Sequence, residues 1–297
     1  MPTLETYNGY PLWRYIPSLP AAILFTVIFG ILMAAHCWKL FRHRMWFCIP
    51  FAVGGLCESS NPLRVNDANI KLVEVIGYIG RAAAYNSTGV LIPYILQSIF
   101  LLLAPILFAA TLYMTLSRVI SAVHGEACSM IAPRWLTRIF VFGDAFSFLI
   151  QSSGAGLRVK AGSGDDNSNP NLGSNIIVGG LIFQILVFAV YVLTAVRFQM
   201  NFKRHEASKN VVDLPWQGLL NMLYVTSAFI MVRNIFRVAE YSMGSDGYLL
   251  GHEWGVYVFD ASLMTFTMTW FFLRYPSQLV RRENSEAGIE MATTESA

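Results

Sequence analysis

The chain has 297 residues, of which 55% are apolar and only 13% charged, with a formal net charge of +3. Soluble domains carry about 25% charged residues, so this composition excludes an ordinary soluble fold. The small positive excess falls in short clusters beside apolar runs, which carries topology information and gives no reason to expect nucleic-acid binding.

The N-terminal residues 1–18 lack the basic start and small-residue cleavage site of a signal peptide, so the first apolar run is expected to stay in the protein as a signal anchor. Helix one is predicted from about Leu19 to Trp38, with KLFRHR (Lys39–Arg44) as the loop after it. Helix two begins near Met45 and reads WFCIPFAVGGLCE. It then meets SSNPLRVNDANIKL and resumes as VEVIGYIGRAAAY. Helix three is predicted from about Gly89 to Leu116, with Pro93 and Pro105 as kinks. Arg118, His124, Arg134 and Arg138 mark the next connection, and helix four follows from about Trp135 to Leu157.

The stretch Ala161–Gly173 has turn composition and no apolar period, so it is expected to be a loop. Helix five is predicted from about Asn175 to Phe198, followed by the basic segment RFQMNFKRHEASKN. Helix six spans about Trp216 to Tyr241 and helix seven about Glu253 to Tyr275. The remaining 276–297 are polar and expected to be disordered. The loops after helices one, three and five, and the tail with Arg281 and Arg282, are basic. The N-terminus and the loops after helices four and six are poor in Lys and Arg. The positive-inside bias therefore predicts an all-α polytopic membrane protein of seven transmembrane helices, one domain over 19–275, with its N-terminus outside and its C-terminus cytosolic. Asn86 heads a glycosylation sequon on the predicted outer side.

Arg233–Asp260, RNIFRVAEYSMGSDGYLLGHEWGVYVFD, is the most informative segment. Arg233, Arg237, Glu240 and Tyr241 recur at three- and four-residue spacing and share one helix face. Met243–Gly251 reads as a turn, and the apolar helix opening at Glu253 carries Asp260 inside it. Ionisable groups at membrane depth cost about 2.5–3.5 kcal/mol each and normally face a bundle interior or water. Two readings fit: a buried ion pair that fixes helix register, or a polar pocket that contacts substrate. Glu74 and Arg81 in helix two, and Asp144 and Gln151 in helix four, lie seven residues apart and so share a face in each pair. Gln97 and Gln184 read as interhelical glue, and Gly54-Gly55, Gly154–Gly156 and Gly179-Gly180 as positions of close helix packing.

The cysteines Cys37, Cys48, Cys57 and Cys128 include no CxxC, and the five histidines form no HxxxH or HExxH, so neither a metal site nor a disulfide framework is expected. There is no GxSxG and no Walker loop. Helix seven has no lysine for a retinal Schiff base. A carrier or a receptor without catalytic groups or cofactors is what remains.

Glu74 with Ile76–Arg81, Leu101–Arg118, Phe140–Leu157 and Arg233–Asp260 stand in the order of the signature blocks of the fungal RTA-like proteins, also called the lipid-translocating exporter family. The resemblance covers about Tyr10 to Arg282. It implies seven helices with the N-terminus outside, and a role at the fungal plasma membrane in aminocholesterol resistance, release of sphingoid long-chain bases or protoporphyrin movement. The expected partners are thus membrane lipids or amphiphilic small molecules, with no evident protein partner and a homo-oligomer left open. Carboxylates such as Glu240, Asp144 and Asp260 would pair with an ammonium head group. Arg233 and Arg237 would hold those carboxylates ionised or contact an anionic head. The alternative is a seven-helix sensor that affects lipid or drug tolerance through signalling.

One segment departs from the family pattern. Ser59–Glu74, with Asn61-Pro62, Arg64, Asp67 and Lys71, separates two apolar pieces that would otherwise join into one helix. It is either a loop that breaks helix two or a retained in-frame intron, and it leaves Glu58 and Glu74 as alternatives for the family's glutamate position.

Overall fold

A computed structural model describes residues 19–43, 48–51, 91–162, 170–206, 216–243 and 255–274. Among the described residues there is no strand, and the longer helices are α1 (Leu19–His43), α2 (Leu91–Ala122), α3 (Pro133–Gly162), α4 (Pro170–Glu206), α5 (Trp216–Ser242) and α6 (Ser262–Leu273). A π-helical turn, Val256–Ala261, leads into α6. Among the described residues, three helices are long and apolar enough to cross a membrane: Leu102–Ala122 within α2, Asn171–Arg204 within α4, and all of α5, Trp216–Ser242. These six helices correspond to the predicted helices one, three, four, five, six and seven. Helix two, apart from residues 48–51, lies outside the described residues, as do residues 1–18, the Ser59–Glu74 segment and the tail.

Several predicted boundaries need correction. Lys39–His43, expected as a loop, continues α1. A helix closes its own backbone hydrogen bonds whatever its side chains, and here Lys39 Nζ donates to the Phe272 carbonyl at 2.6 Å, tying α1 to the end of α6. The loop expected at Ala161–Gly173 shrinks, because α3 runs to Gly162 and α4 begins at Pro170. Proline suits the first helical position, where its missing N–H has no partner to lose; the turn-like composition of Asn171–Gly173 concealed the first turn of α4. The basic segment after Phe198 is also helical through Glu206, with Lys203 and Arg204 exposed. With 37 residues, α4 is about 55 Å long, against a hydrocarbon core of about 30 Å. Pro93 falls in the first turn of α2, where its N–H would be unpaired in any case, while Pro105 lies inside the helix.

The C-terminus of α2 ends in a complete Schellman motif. The Gly125 N–H donates to the Ile120 carbonyl and the His124 N–H to the Ser121 carbonyl, both at 3.0 Å. His124 takes the left-handed position, with φ of 50°. Gly125 then lies under α4, where an added Cβ would come within 2.9 Å of the Phe198 ring.

Packing follows chain order, with α3 against α2 and α4, α4 against α5, and α5 against α6; α2 also meets α5, and α1 meets α6. Phe108, Leu112, Tyr113 and Leu116 of α2, Phe188, Tyr191 and Phe198 of α4, Leu220 and Leu223 of α5, and Met264, Met268 and Phe271 of α6 form one buried core. The outside is apolar as well. Trp135, Ile139, Phe142, Phe146 and Leu149 line the exposed side of α3, and Ile182, Leu186, Val190 and Leu193 that of α4. The opposite stripe of α3, Phe140, Asp144, Ser147 and Gln151, is buried. Large exposed apolar patches on a soluble surface would drive association; around a polar interior they are the surface a bilayer solvates. This arrangement is that of an integral membrane protein.

Candidate functional site

The charged residues of α5 and the π-helical turn form one closed network. Arg233 and Arg237 are one helical turn apart on α5, and Glu240 lies three residues further on. Arg233 Nε pairs with Asp260 Oδ1, and Arg237 Nη2 donates to Asp260 Oδ2. Arg237 Nη1 donates to Glu240 Oε2 at 2.9 Å. All four residues are buried, none more than 4% exposed. Two guanidiniums and two carboxylates leave the group electrically neutral, which is the condition under which so many charges tolerate burial.

The turn that presents Asp260 was not legible in advance. The sequence predicts an ordinary helix from Glu253, whereas Val256–Ala261 is π-helical. Such turns carry one extra residue and recur at functional sites. Ring stacking fixes it on both sides: Phe259 on Phe236 of α5 at 4.6 Å, and Tyr257 on Phe25 of α1 at 5.5 Å. Tyr241, predicted to share the Arg233 face, is half-buried beside the network, and its ring meets the Arg158 guanidinium of α3 at 5.7 Å.

Asp144 stands apart. It is 1% exposed on α3, and Tyr113 of α2 donates its hydroxyl to Asp144 Oδ2 at 2.8 Å. Asp144 Oδ1 is buried and accepts no hydrogen bond among the described residues. Aromatic rings pack around Tyr113, which lies 5.3 Å from Phe140, 6.2 Å from Phe188 and 4.6 Å from Tyr191. The Tyr191 hydroxyl donates to the Leu112 carbonyl at 3.2 Å.

Gln151, two turns along α3 from Asp144, belongs to a third group. Its Nε2 donates to Ser147 Oγ at 2.7 Å and to Gln184 Oε1 of α4 at 2.9 Å. Ser147 Oγ donates to the Gly180 carbonyl at 2.6 Å. This closeness depends on glycine. A Cβ on Gly154 would stand 2.8 Å from the Gly173 oxygen, and one on Gly180 would stand 2.7 Å from Gln151 Cγ. Gly156 and Gly179, expected to serve the same packing, face open space. Gln184 is interhelical glue as expected; the side chain of Gln97 lies outside the described residues, as do Glu74, Arg81 and Asn86.

The predicted residues thus separate into a charged network (Arg233, Arg237, Glu240, Asp260), an isolated carboxylate (Asp144) and an amide bridge (Gln151). Tyr113, Tyr191, Ser147 and Asn234 join the polar interior without having been singled out. Asn234 is 1% exposed, and neither amide atom has a hydrogen-bond partner among the described residues. Its position beside Arg233 was the available signal; the tyrosines gave none, since their spacing resembles that of any core aromatic.

The family described as RTA1-like protein matches residues 71–283. Protoporphyrin uptake protein 1 of Saccharomyces cerevisiae is 32% identical over 282 residues, 86% of this chain and 89% of that protein. Protein RTA1 of the same yeast is 32% identical over 291 residues, 94% of this chain and 89% of its own length. The sphingoid long-chain base transporter RSB1 is 26% identical over 292 residues, covering 86% of this chain and 72% of that protein. No solved structure matches the chain.

Proposed function

We propose that this chain, which belongs to the RTA1-like protein family, is a translocator that moves amphiphilic lipids such as sphingoid long-chain bases across the plasma membrane. The reading takes seven helices with the N-terminus outside and the C-terminus cytosolic, as the loop charges predict, and no catalytic step. The observation that carries it is the inverted arrangement of the bundle, with Arg233, Arg237, Glu240, Asp260 and Asp144 inside and apolar side chains outside. An amphiphile crossing hydrocarbon needs its head group shielded while its tail stays in lipid, and an interior of buried charge beside an apolar surface offers both environments. The name of the relative RSB1 supports the substrate class.

Within this reading, Glu240 and Asp260 meet the ammonium, with Gln151, Glu74 and Arg81 as further contacts; Asp144, expected to do the same, is buried against Tyr113 and is given no contact with the head group. An ammonium at Asp260 competes with two guanidiniums and at Glu240 with one, so substrate entry there requires the network to open. The test is reconstitution of the purified chain in liposomes, following a fluorescent long-chain base with wild type and Glu240→Gln. Movement above protein-free liposomes that the variant loses supports a pathway through the network. No movement from folded protein refutes the translocator and favours the sensor alternative.

A further inference from the structure

The charged network accounts for its own charges; Asp144 does not. Its single hydrogen-bond donor is a phenol, its second oxygen has no partner among the described residues, and the residue is 1% exposed. From α2 the titratable group facing it is Tyr113, and from α4 Tyr191 packs edge-on against the Tyr113 ring. On α3 itself, one turn away on either side, stand Phe140 and Ser147. The described basic groups of these three helices lie elsewhere: Arg118 is five residues beyond Tyr113, Arg134 and Arg138 are exposed, Arg158 meets the Tyr241 ring fourteen residues beyond Asp144, and Arg197, Lys203 and Arg204 occupy the far end of α4. The arginines of α5 are engaged with Asp260 and Glu240.

Among the described residues an ionised carboxylate so placed has no counter-charge, and burial makes that state costly. Binding a cation relieves that cost. The rings of Phe140, Phe188 and Tyr191 pack on the Tyr113 ring at centroid distances of 4.6–6.2 Å, and Asp144 Oδ1 has essentially no accessible surface. An ammonium with its alkyl chain needs room that this packing does not leave. A proton needs none.

We infer that Asp144 is a proton-binding site, and that a proton taken up on its unpartnered oxygen from one side of the membrane and released to the other is coupled to movement of the amphiphile. This rests on the translocator reading for its coupling half, whereas the proton site itself does not. The balance is simple: one proton bound from solution neutralises one carboxylate, and the same proton returns to solution on the opposite side. Tyr113 acts as a positioning residue, since its hydroxyl bonds to the ionised carboxylate and holds it in place.

The experiment uses the full chain in liposomes, wild type against Asp144→Asn and Tyr113→Phe, with two readouts. The first is the infrared carbonyl stretch of a protonated carboxyl. It is expected in wild type, absent in Asp144→Asn, and displaced toward alkaline pH in its titration in Tyr113→Phe. The absence of any band removed by Asp144→Asn at every pH overturns the proton site. The second is accumulation of a fluorescent long-chain base under an imposed pH gradient. At least a tenfold loss in Asp144→Asn, with exchange of the base at equal pH on both sides retained, supports the coupling. Equal response of wild type and Asp144→Asn to the gradient overturns it. If wild type moves no base under any condition, the translocator reading and the coupling fall together, and the infrared band still decides the proton site.

Discussion

Arg237 reaches from α5 to Asp260 in the turn before α6 and, with its other terminal nitrogen, holds Glu240 one turn further along its own helix. One guanidinium thereby fixes the separation of two carboxylates and the docking of α5 on α6. Removing a partner from such a group leaves a buried charge unmatched, which costs about 3–5 kcal/mol. Asp260→Asn is expected to lower the stability of the detergent-solubilised protein by that amount in denaturant titrations. Arg233→Gln combined with Asp260→Asn should lose clearly less than the sum of the two single changes, because the pair share one interaction. Additive losses would show that the two residues do not act together.

The α3–α4 contact separates the glycines into two kinds. Gly154→Ala forces a methyl group against the Gly173 oxygen and Ile177, and overpacking of this sort costs about 1–3 kcal/mol. Gly156→Ala and Gly179→Ala meet open space and should raise helix stability by up to about 1 kcal/mol each. Thermal unfolding of the three variants side by side checks the assignment, and a loss at Gly156 as large as that at Gly154 would refute it.

His124 holds a left-handed backbone position where glycine is the usual occupant. A side chain there costs about 1–2 kcal/mol. His124→Gly is therefore expected to stabilise the protein by roughly 1 kcal/mol, after the greater freedom glycine brings to the unfolded chain is subtracted. His124→Val should destabilise it, being branched next to the backbone. The melting temperatures of the two variants should fall on opposite sides of wild type.

The amide bridge between Gln151 and Gln184 is a modest contributor. Interhelical hydrogen bonds in membrane bundles average about 0.6 kcal/mol. Gln184→Leu removes the acceptor of the 2.9 Å bond and should cost roughly 1 kcal/mol by leaving the Gln151 amide short of a partner. A loss above about 3 kcal/mol would mean that the bridge organises more of the α3–α4 interface than its hydrogen bonds do.

The composition and apolar runs of the sequence determine the helical class, and spacing alone brings Arg233, Arg237 and Glu240 to one face. That Asp260 would be their partner was less accessible, because pairing across helices depends on how α5 and α6 dock. Helix ends were misread wherever charge or turn-forming residues continued a helix, at Lys39–His43, Pro170–Gly173 and Arg197–Glu206. Local composition reports what a segment prefers when isolated, and neighbouring helices overrule it. The seven-residue spacing of Asp144 and Gln151 did place both on the buried stripe of α3. It gave no hint that the first would be left with a phenol and the second with an amide, since those partners come from α2 and α4.

The π-helical turn at Val256–Ala261 has a mechanical side. A surplus residue in one turn rotates everything before it by about 100° relative to a continuous α-helix. The Tyr257 and Phe259 rings are therefore out of phase with Met264, Met268 and Phe271, although all belong to one rod. Tyr257 can face α1 and Phe259 can face α5 while the later residues serve the core. Deleting one residue from the turn would bring the two halves back into phase and swing Asp260 away from its arginines without changing a single side chain. The phase offset, as much as the charges, determines where that carboxylate points.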